Sequence, residues 1–169
     1  MYFFSADHHF YHKNIIKYVN RPFESIEHMH DELIKRHNSV VRKEDTVIIA
    51  GDFSLASTRI TRRVIIPQLN GTLVFLKGCH DKWLANKYRD IWRRRLDSNY
   101  VIVCHYCLRT WPSSHYNSWH LYAHSHGRLD SIGKSMDIGV DTHDFYPYSF
   151  DEIKEIMANK PDNPNLIRR

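Results

Sequence analysis

Five short apolar runs punctuate the sequence, and each leads directly into residues that bind metals or move protons. Each run has the length and composition of a buried β-strand. The runs occupy residues 2–6, 46–50, 72–77, 100–104 and 119–123, and residues 136–140 form a sixth candidate. Segments with helical apolar spacing separate several of the runs. Strands that alternate with helices in this way predict an α/β fold.

Capping residues mark two of the predicted helices. Ser25 precedes an apolar stripe that continues to Val41, and Ser149 opens a Ser-x-x-Glu capping box. Further helices are predicted at residues 57–69, 81–88 and in the Arg-rich stretch around Trp92. The sequence has neither a repeat nor a linker, so we expect a single domain over residues 1–169. Its polar, Pro- and Asn-rich tail at 161–169 is expected to fray.

Composition narrows the class of protein. The 169 residues include 24 Lys and Arg against 19 Asp and Glu, and the resulting charge of +5 favours anionic partners such as phosphate esters or nucleic acid. Three cysteines do not indicate a disulfide framework. No apolar run approaches the ~18 residues of a membrane span, and the first residues lack the features of a signal peptide. We therefore expect a cytoplasmic protein without membrane association.

The ends of the predicted strands carry the ligand-type residues. The carboxyl ends of strands are where binding loops gather in open α/β sheets. Residues two apart in an extended segment face the same side. Asp7 and His9 can therefore bind one ion, as can His124 and His126. Several His with two Asp suit Mn, Fe, Co, Ni or Zn. The set exceeds the four ligands of a structural zinc site, which indicates two divalent ions that share a carboxylate.

Five ordered motifs resemble those of the calcineurin-like metallophosphoesterase superfamily. They read Asp7-His8-His9, Gly51-Asp52, Gly78-Cys79-His80-Asp81, His105 and Ala123-His124-Ser125-His126. The residues around Asp7 and the segment 137–141 resemble a short bacterial and phage branch, and the resemblance covers about residues 1–156. It implies two packed mixed β-sheets flanked by helices, a four-layer sandwich with a dimetal site at the strand ends.

The resemblance also implies a role for each motif residue. The implied metal ligands are Asp7, His9 and His126 for one ion, Asp52 as the bridge, and Cys79, His105 and His124 for the second ion. His80 is implied to assist the leaving oxygen, with Asp81 orienting His80. In two places the sequence departs from the pattern, because Cys79 replaces an Asn and Ala123 replaces a Gly. A sulfur ligand favours Zn²⁺ over Mn²⁺ at the second position.

The function that follows is hydrolysis of a phosphate ester by metal-activated hydroxide. The expected substrate is a phosphodiester or a nucleotide, because no long specificity insert is present. A phosphomonoesterase and a binding scaffold without turnover are the alternatives. His80 discriminates between them, since a scaffold does not need a proton donor. His12 and Arg109 are candidate phosphate contacts. Nucleic acid is a possible partner, and the sequence does not predict an oligomeric state.

Other residue groups leave two interpretations open. Cys104 and Cys107 are either a redox or zinc pair or two unrelated thiols. Three aromatic side chains either stack on a base or pack within loops, and these are Trp111, Tyr116 and Trp119. The arginines at 59, 62, 63 and 93–95 either contact nucleic acid or form solvated helix faces.

Overall fold

The computed structural model describes residues 1–84 and 88–167, which form two four-stranded β-sheets. The strands are β1 (Tyr2–Ser5), β2 (Thr46–Ile49), β3 (Thr72–Phe75), β4 (Ile91–Leu96), β5 (Asn99–Cys104), β6 (Trp119–Tyr122), β7 (Ser135–Asp137) and β8 (Tyr148–Ser149). The first sheet has the order β3-β2-β1-β8, and the second has the order β4-β5-β6-β7. In each sheet three strands run parallel and one edge strand, β8 or β4, runs antiparallel to its neighbour.

The helices begin where the sequence carries capping signals. They are α1 (Ile15–Tyr18), α2 (Ile26–Val40), α3 (Thr58–Ile60) and α4 (Phe150–Ala158). The Ser25 hydroxyl accepts a hydrogen bond from the His28 amide at 3.0 Å, and Ser149 forms the complete capping box with Glu152. α3 continues through a π turn into a 3₁₀ turn that ends with Pro67 and Gln68. No helix within the described ranges has the length and hydropathy needed to cross a membrane.

The main core lies between the two sheets. Phe4 and Ile48 of the first sheet pack in one cluster with Val101 and Leu121 of the second, and Met157 of α4 belongs to the same cluster. Alternate residues of the first sheet face the other way. There Phe3, Val47 and Ile49 pack against Met29 and Leu33 of α2. Each sheet therefore buries both faces, and the predicted α/β architecture of two mixed sheets flanked by helices is confirmed.

A loop segment covers the outer face of the second sheet. The Trp111 ring lies 5.2 Å from the His120 ring of β6, and its indole nitrogen donates to the Ser118 carbonyl at 3.0 Å. Trp119 is buried between the sheets, whereas Tyr116 is exposed. The two tryptophans therefore serve packing rather than stacking on a base.

The Arg-rich stretch is a strand, and the helix predicted for it is wrong. β4 pairs antiparallel with β5 from Ile91 opposite Cys104 to Leu96 opposite Asn99, so that residues 97 and 98 form a tight hairpin turn. The three arginines at 93–95 are exposed on this edge strand. Pairing with a distant partner outweighs local helix propensity here.

The helix predicted for 81–88 is also wrong over 81–84, which form turns, and residues 85–87 lie outside the described ranges.

The tail does not fray at its start. The sequence predicts a loose tail from residue 161, yet Asn163 is buried and its side-chain amide donates to the carbonyls of Ser114 and Ser118, both at 2.9 Å. Its side-chain oxygen accepts from the Lys134 amide at 2.7 Å. One polar side chain thus anchors the segment to residues that lie far away in the sequence. Residues 168 and 169 lie outside the described ranges.

Candidate metal centre

Two groups of ligand-type side chains meet where strands of the two sheets end. The first group is Asp7, His9 and His126, and the second is Asp52, Cys79, His105 and His124. Within each group the ligand atoms lie within 4.8 Å of one another. Asp52 also forms a third such group with His9 and His80, so its carboxylate lies between the other two. The structure therefore brings together all seven side chains that the sequence nominates as ligands.

The backbone at these residues is left-handed rather than extended. The φ angles are +55° at Asp7, +55° at His9, +50° at Asp52, +70° at His124 and +49° at His126. The Asp7–His9 pair and the His124–His126 pair do converge. They do so through left-handed turns and not through the strand alternation that their spacing predicts. A non-glycine residue in this conformation costs of the order of 1–3 kcal/mol, and such costs cluster at functional sites.

Two glycines allow the Asp52 turn to approach its neighbours. Gly51 has a φ of +93°, and a Cβ there would lie 2.7 Å from the Gly78 Cα and from His105 Nδ1. A Cβ at Gly78 would overlap the backbone nitrogen and the carboxylate of Asp52. The glycines of the Gly-Asp and Gly-Cys-His-Asp motifs therefore pack against each other. Ala123, in contrast, adopts no left-handed conformation and lies in the core, so its methyl group is accommodated.

Three buried polar atoms of the centre have no hydrogen-bond partner among the described residues. They are Asp7 Oδ1, His9 Nε2 and His105 Nε2. Buried polar groups in folded proteins are almost always satisfied, since an unsatisfied group costs about 1–3 kcal/mol. All three belong to side chains of the two ligand groups. A carboxylate oxygen and two imidazole nitrogens are what a divalent transition metal binds, so these residues fit a metal centre.

Hydrogen bonds orient the imidazole rings. His105 Nδ1 donates to the Ala50 carbonyl at 2.9 Å, and His126 Nδ1 donates to Asp141 Oδ2 at 2.6 Å. Each of these bonds leaves Nε2 as the free ligand atom, which is the usual arrangement in metal sites. His9 Nδ1 lies 3.1 Å from His12 Nδ1, so one ring donates to the other. His12 therefore supports a candidate metal ligand, and its expected role is not limited to a phosphate contact.

A buried ion pair supports His126 from behind. Arg21 Nε lies 2.7 Å from Asp141 Oδ1, and its Nη2 lies 2.7 Å from Asp141 Oδ2. The Arg21 side chain is 0% exposed. Its guanidinium also donates to the carbonyls of Asp7 and His8 at 2.6 and 3.0 Å. Arg21 thus ties the first ligand turn to Asp141. Sequence analysis missed Arg21, which stands alone between Asn20 and Pro22, and it included Asp141 only as part of the segment 137–141.

Burial and mutual attraction shift the pKa values of the ligand side chains. Burial raises the pKa of Asp7 to about 7 and lowers the pKa of His9 to about 2. Burial also disfavours the charged forms of Asp52 and His105, but their mutual attraction lowers the pKa of Asp52 to about 2 and raises that of His105 to about 9. Neutral imidazole and ionised carboxylate are the forms that bind metals, so His9 and Asp52 are in the binding form at neutral pH, whereas His105 has to lose a proton. A cation nearby would offset the cost of burying Asp7 as a carboxylate.

His80 lies beside the centre with its side chain 44% exposed. Its backbone amide donates to Asp52 Oδ1 at 2.8 Å, while its Nε2 is 4.0 Å from Asp52 Oδ2. The ring is also close to the His9 and His12 rings, with centroids 5.4 and 5.5 Å away. Its backbone is therefore fixed while its ring faces the open side of the centre.

Asp81 joins loops beside the centre, and among the described residues its carboxylate forms no hydrogen bond with the His80 ring. Its carboxylate is buried and accepts from the amides of Gly78 at 2.9 Å, Phe53 at 2.9 Å and Ser54 at 3.2 Å, and from the Trp83 indole at 2.8 Å. These bonds join the turn after Asp52 to the turn that carries His80. Arg109, the other candidate phosphate contact, is exposed and forms no hydrogen bond or ion pair with the site residues in the described part of the chain.

A comparison with known proteins gives one clear relative. The chain is 31% identical over 167 residues to "Uncharacterized protein MJ1445" of Methanocaldococcus jannaschii, covering 90% of this chain and 88% of that protein. No protein-family model matches. Among solved structures, the "Protein of Unknown Function AQ665" from Aquifex aeolicus has the same fold, with a TM-score of 0.69, 21% identity and coverage of 92% of this chain and 98% of the other.

A more distant structural match is a conserved uncharacterized protein from Streptococcus pneumoniae, described as a predicted phosphoesterase. It is 15% identical with a TM-score of 0.40 and covers 82% of this chain and 70% of the other. The chain belongs to one family with protein MJ1445 of Methanocaldococcus jannaschii. Its five ordered motifs, which carry the ligand groups, resemble those of the calcineurin-like metallophosphoesterase superfamily.

Proposed function

We propose that the protein is a metal-dependent phosphoesterase that uses two divalent transition-metal ions to hydrolyse a phosphodiester or nucleotide substrate. The observation that carries the proposal is that three buried ligand atoms without a hydrogen-bond partner among the described residues lie in two groups that meet at Asp52, with the exposed His80 beside them. Two ions held by such ligands supply Lewis-acid chemistry that activates water and neutralises charge on the phosphoryl oxygens. The positive net charge of the chain also favours an anionic substrate.

Asp52 is proposed as the carboxylate that serves both metal positions. Its Oδ2 lies 3.8 Å from His9 Nε2 on one side and 3.4 Å from His105 Nε2 on the other. Its Oδ1 accepts from the His80 amide, which fixes the plane of the carboxylate. The lowered pKa keeps the group ionised at neutral pH, so it is available as a ligand throughout the physiological range.

His80 is proposed to give a proton to the leaving oxygen of the ester. Its imidazole is solvent-accessible and lies next to the ligand groups, and within the described ranges it forms no backbone hydrogen bond of the kind that orients the His105 ring. A positioned proton donor contributes about 10²–10⁴-fold to the rate of such a reaction. A binding scaffold that only holds metal has no use for an imidazole at this position.

The test is a substrate panel on metal-free protein reloaded with Mn²⁺, Zn²⁺, Co²⁺ or Ni²⁺. Generic nitrophenyl monoesters, diesters and nucleotide esters are compared at matched protein and ion concentrations. We expect diester or nucleotide ester hydrolysis that disappears on chelation and in Asp52→Ala, and that persists in Cys107→Ser, a variant of a half-buried thiol outside the ligand groups. Preference for a monoester would change the substrate class. Metal binding without hydrolysis of any ester would leave a binding scaffold and overturn the proposal.

A further inference from the structure

The two groups of ligands differ in their donor atoms. Asp7, His9 and His126 offer only oxygen and nitrogen, whereas the second group adds the sulfur of Cys79. Building on the proposed function, we propose that the Cys79 thiolate makes the second position selective for a thiophilic ion such as Zn²⁺. The first position has one carboxylate and two imidazoles and no sulfur, so it discriminates less strongly between Zn²⁺ and a harder ion such as Mn²⁺. Thiolates prefer soft metals, and this preference sets the second position apart.

Two distances in the second group are close to those of tetrahedral coordination. Cys79 Sγ lies 3.7 Å from His124 Nδ1. Bonds of about 2.3 Å to sulfur and 2.0–2.1 Å to nitrogen at a tetrahedral angle would separate these atoms by about 3.6 Å. His105 Nε2 and Asp52 Oδ2 are 3.4 Å apart, and the corresponding tetrahedral separation is about 3.4 Å. Each of these two pairs can therefore share one ion with little rearrangement.

A second member of the group also indicates a ligand at this position. His105 Nε2, in the same group, is buried and has no hydrogen-bond partner among the described residues, and its ring is fixed by the bond from Nδ1 to Ala50. That nitrogen is therefore directed at a ligand. Cys104 is different, because its thiol is buried and donates to the Tyr106 carbonyl at 3.1 Å.

Tyr106 is the positioning residue for this sulfur. Its hydroxyl lies 3.0 Å from Cys79 Sγ, and its ring packs near the rings of His105 and His124, with centroids 5.0 and 5.1 Å away. A hydroxyl that donates to a thiolate stabilises the negative sulfur and fixes its direction. When the metal–sulfur bond forms, the thiol proton passes to solvent.

The first test uses Co²⁺ as a spectroscopic substitute for Zn²⁺. Metal-free wild type titrated with Co²⁺ should develop a near-ultraviolet band from charge transfer between thiolate and cobalt. The band should be absent in Cys79→Asn and unchanged in Cys107→Ser, the control for the remaining partly accessible thiol. Tyr106→Phe should retain the band with shifted energy or reduced intensity. Absence of the band in the wild type, or its persistence in Cys79→Asn, would overturn the proposal.

The second test measures selectivity. Protein is equilibrated with equal free concentrations of Zn²⁺ and Mn²⁺, freed of unbound ions, and analysed for both elements. The ratio of bound Zn²⁺ to bound Mn²⁺ should be lower in Cys79→Asn than in the wild type by about tenfold or more. The same ratio in both proteins would contradict the proposal. These readouts are independent of turnover: a thiolate band without ester hydrolysis would refute only the proposed function, and hydrolysis without the band would refute only this inference.

Discussion

Replacing Asp7 by asparagine should stabilise the metal-free protein at neutral and alkaline pH, although it removes a proposed metal ligand. The Asp7 carboxyl is fully buried, and one of its oxygens has no hydrogen-bond partner among the described residues. Its other oxygen accepts from the His124 amide at 2.8 Å, a bond that an asparagine side chain can keep. The substitution therefore removes a buried charge while it preserves shape and that hydrogen bond.

The magnitude follows from the pKa. Burial raises the pKa of Asp7 from 3.8 to about 7. One pKa unit corresponds to 1.36 kcal/mol, so an ionised Asp7 costs the folded state up to about 4 kcal/mol relative to the unfolded chain. Because the folded pKa is the higher one, the stabilising contribution of protonated Asp7 is present below about pH 4 and is lost as the pH rises through about 7. Asparagine does not suffer this loss.

The assay is urea unfolding of chelator-treated wild type and Asp7→Asn between pH 4 and pH 8. The two proteins should be similar at pH 4, and the variant should be more stable by a few kcal/mol at pH 8. Asp52→Asn is the matched contrast, because attraction to His105 lowers the pKa of Asp52 to about 2 and its replacement should destabilise the protein. An Asp7→Asn protein no more stable than wild type at pH 8, or an advantage independent of pH, would refute the reasoning.

The remaining predictions concern the centre and its support. His80→Ala should lower ester hydrolysis by about 10²–10⁴-fold with unchanged metal content by elemental analysis, and loss of metal would show that His80 is a ligand. Asp141→Asn should weaken metal binding by about 10–100-fold in calorimetric titrations, because the Asp141 carboxylate orients His126 and is itself held by Arg21. Unchanged affinity would mean that the ion pair serves folding alone. Cys79→Asn should raise Mn²⁺-dependent turnover by about tenfold or more, and equal turnover with both positions filled would show that the thiol serves as well as an amide.

Local patterns explain what the sequence predicts well. Most of the apolar runs become strands buried on both faces, and the helices at Ser25 and Ser149 begin where a side chain caps the first turn. The motif residues follow those strands directly, so the topology that brings strand ends together also brings the ligands together. The apolar runs and the motif resemblance therefore predicted the two-sheet architecture and the place where the ligand groups meet, although not the edge strands β4 and β8.

Contacts across long sequence distances explain what it predicts badly. β4 forms because its backbone pairs with β5, although its arginines suggest a solvated helix. Arg21 meets Asp141 across 120 residues, and no local pattern announces that pair. The left-handed turn at Asp52 is likewise set by packing of Gly51 against Gly78 and by the hydrogen bonds of Asp81. The sequence therefore indicates which side chains bind, but not how the backbone presents them.

The ligands at the strand ends are proposed to form a two-ion centre that hydrolyses phosphate esters. A titration of metal-free protein with divalent ions tests this when bound ions per chain and diester hydrolysis are recorded on the same samples. Turnover should appear as the second ion binds, reach its plateau at about two ions per chain, and disappear in Asp52→Ala. Two bound ions without hydrolysis above the uncatalysed rate, or hydrolysis that continues after complete chelation, would contradict it.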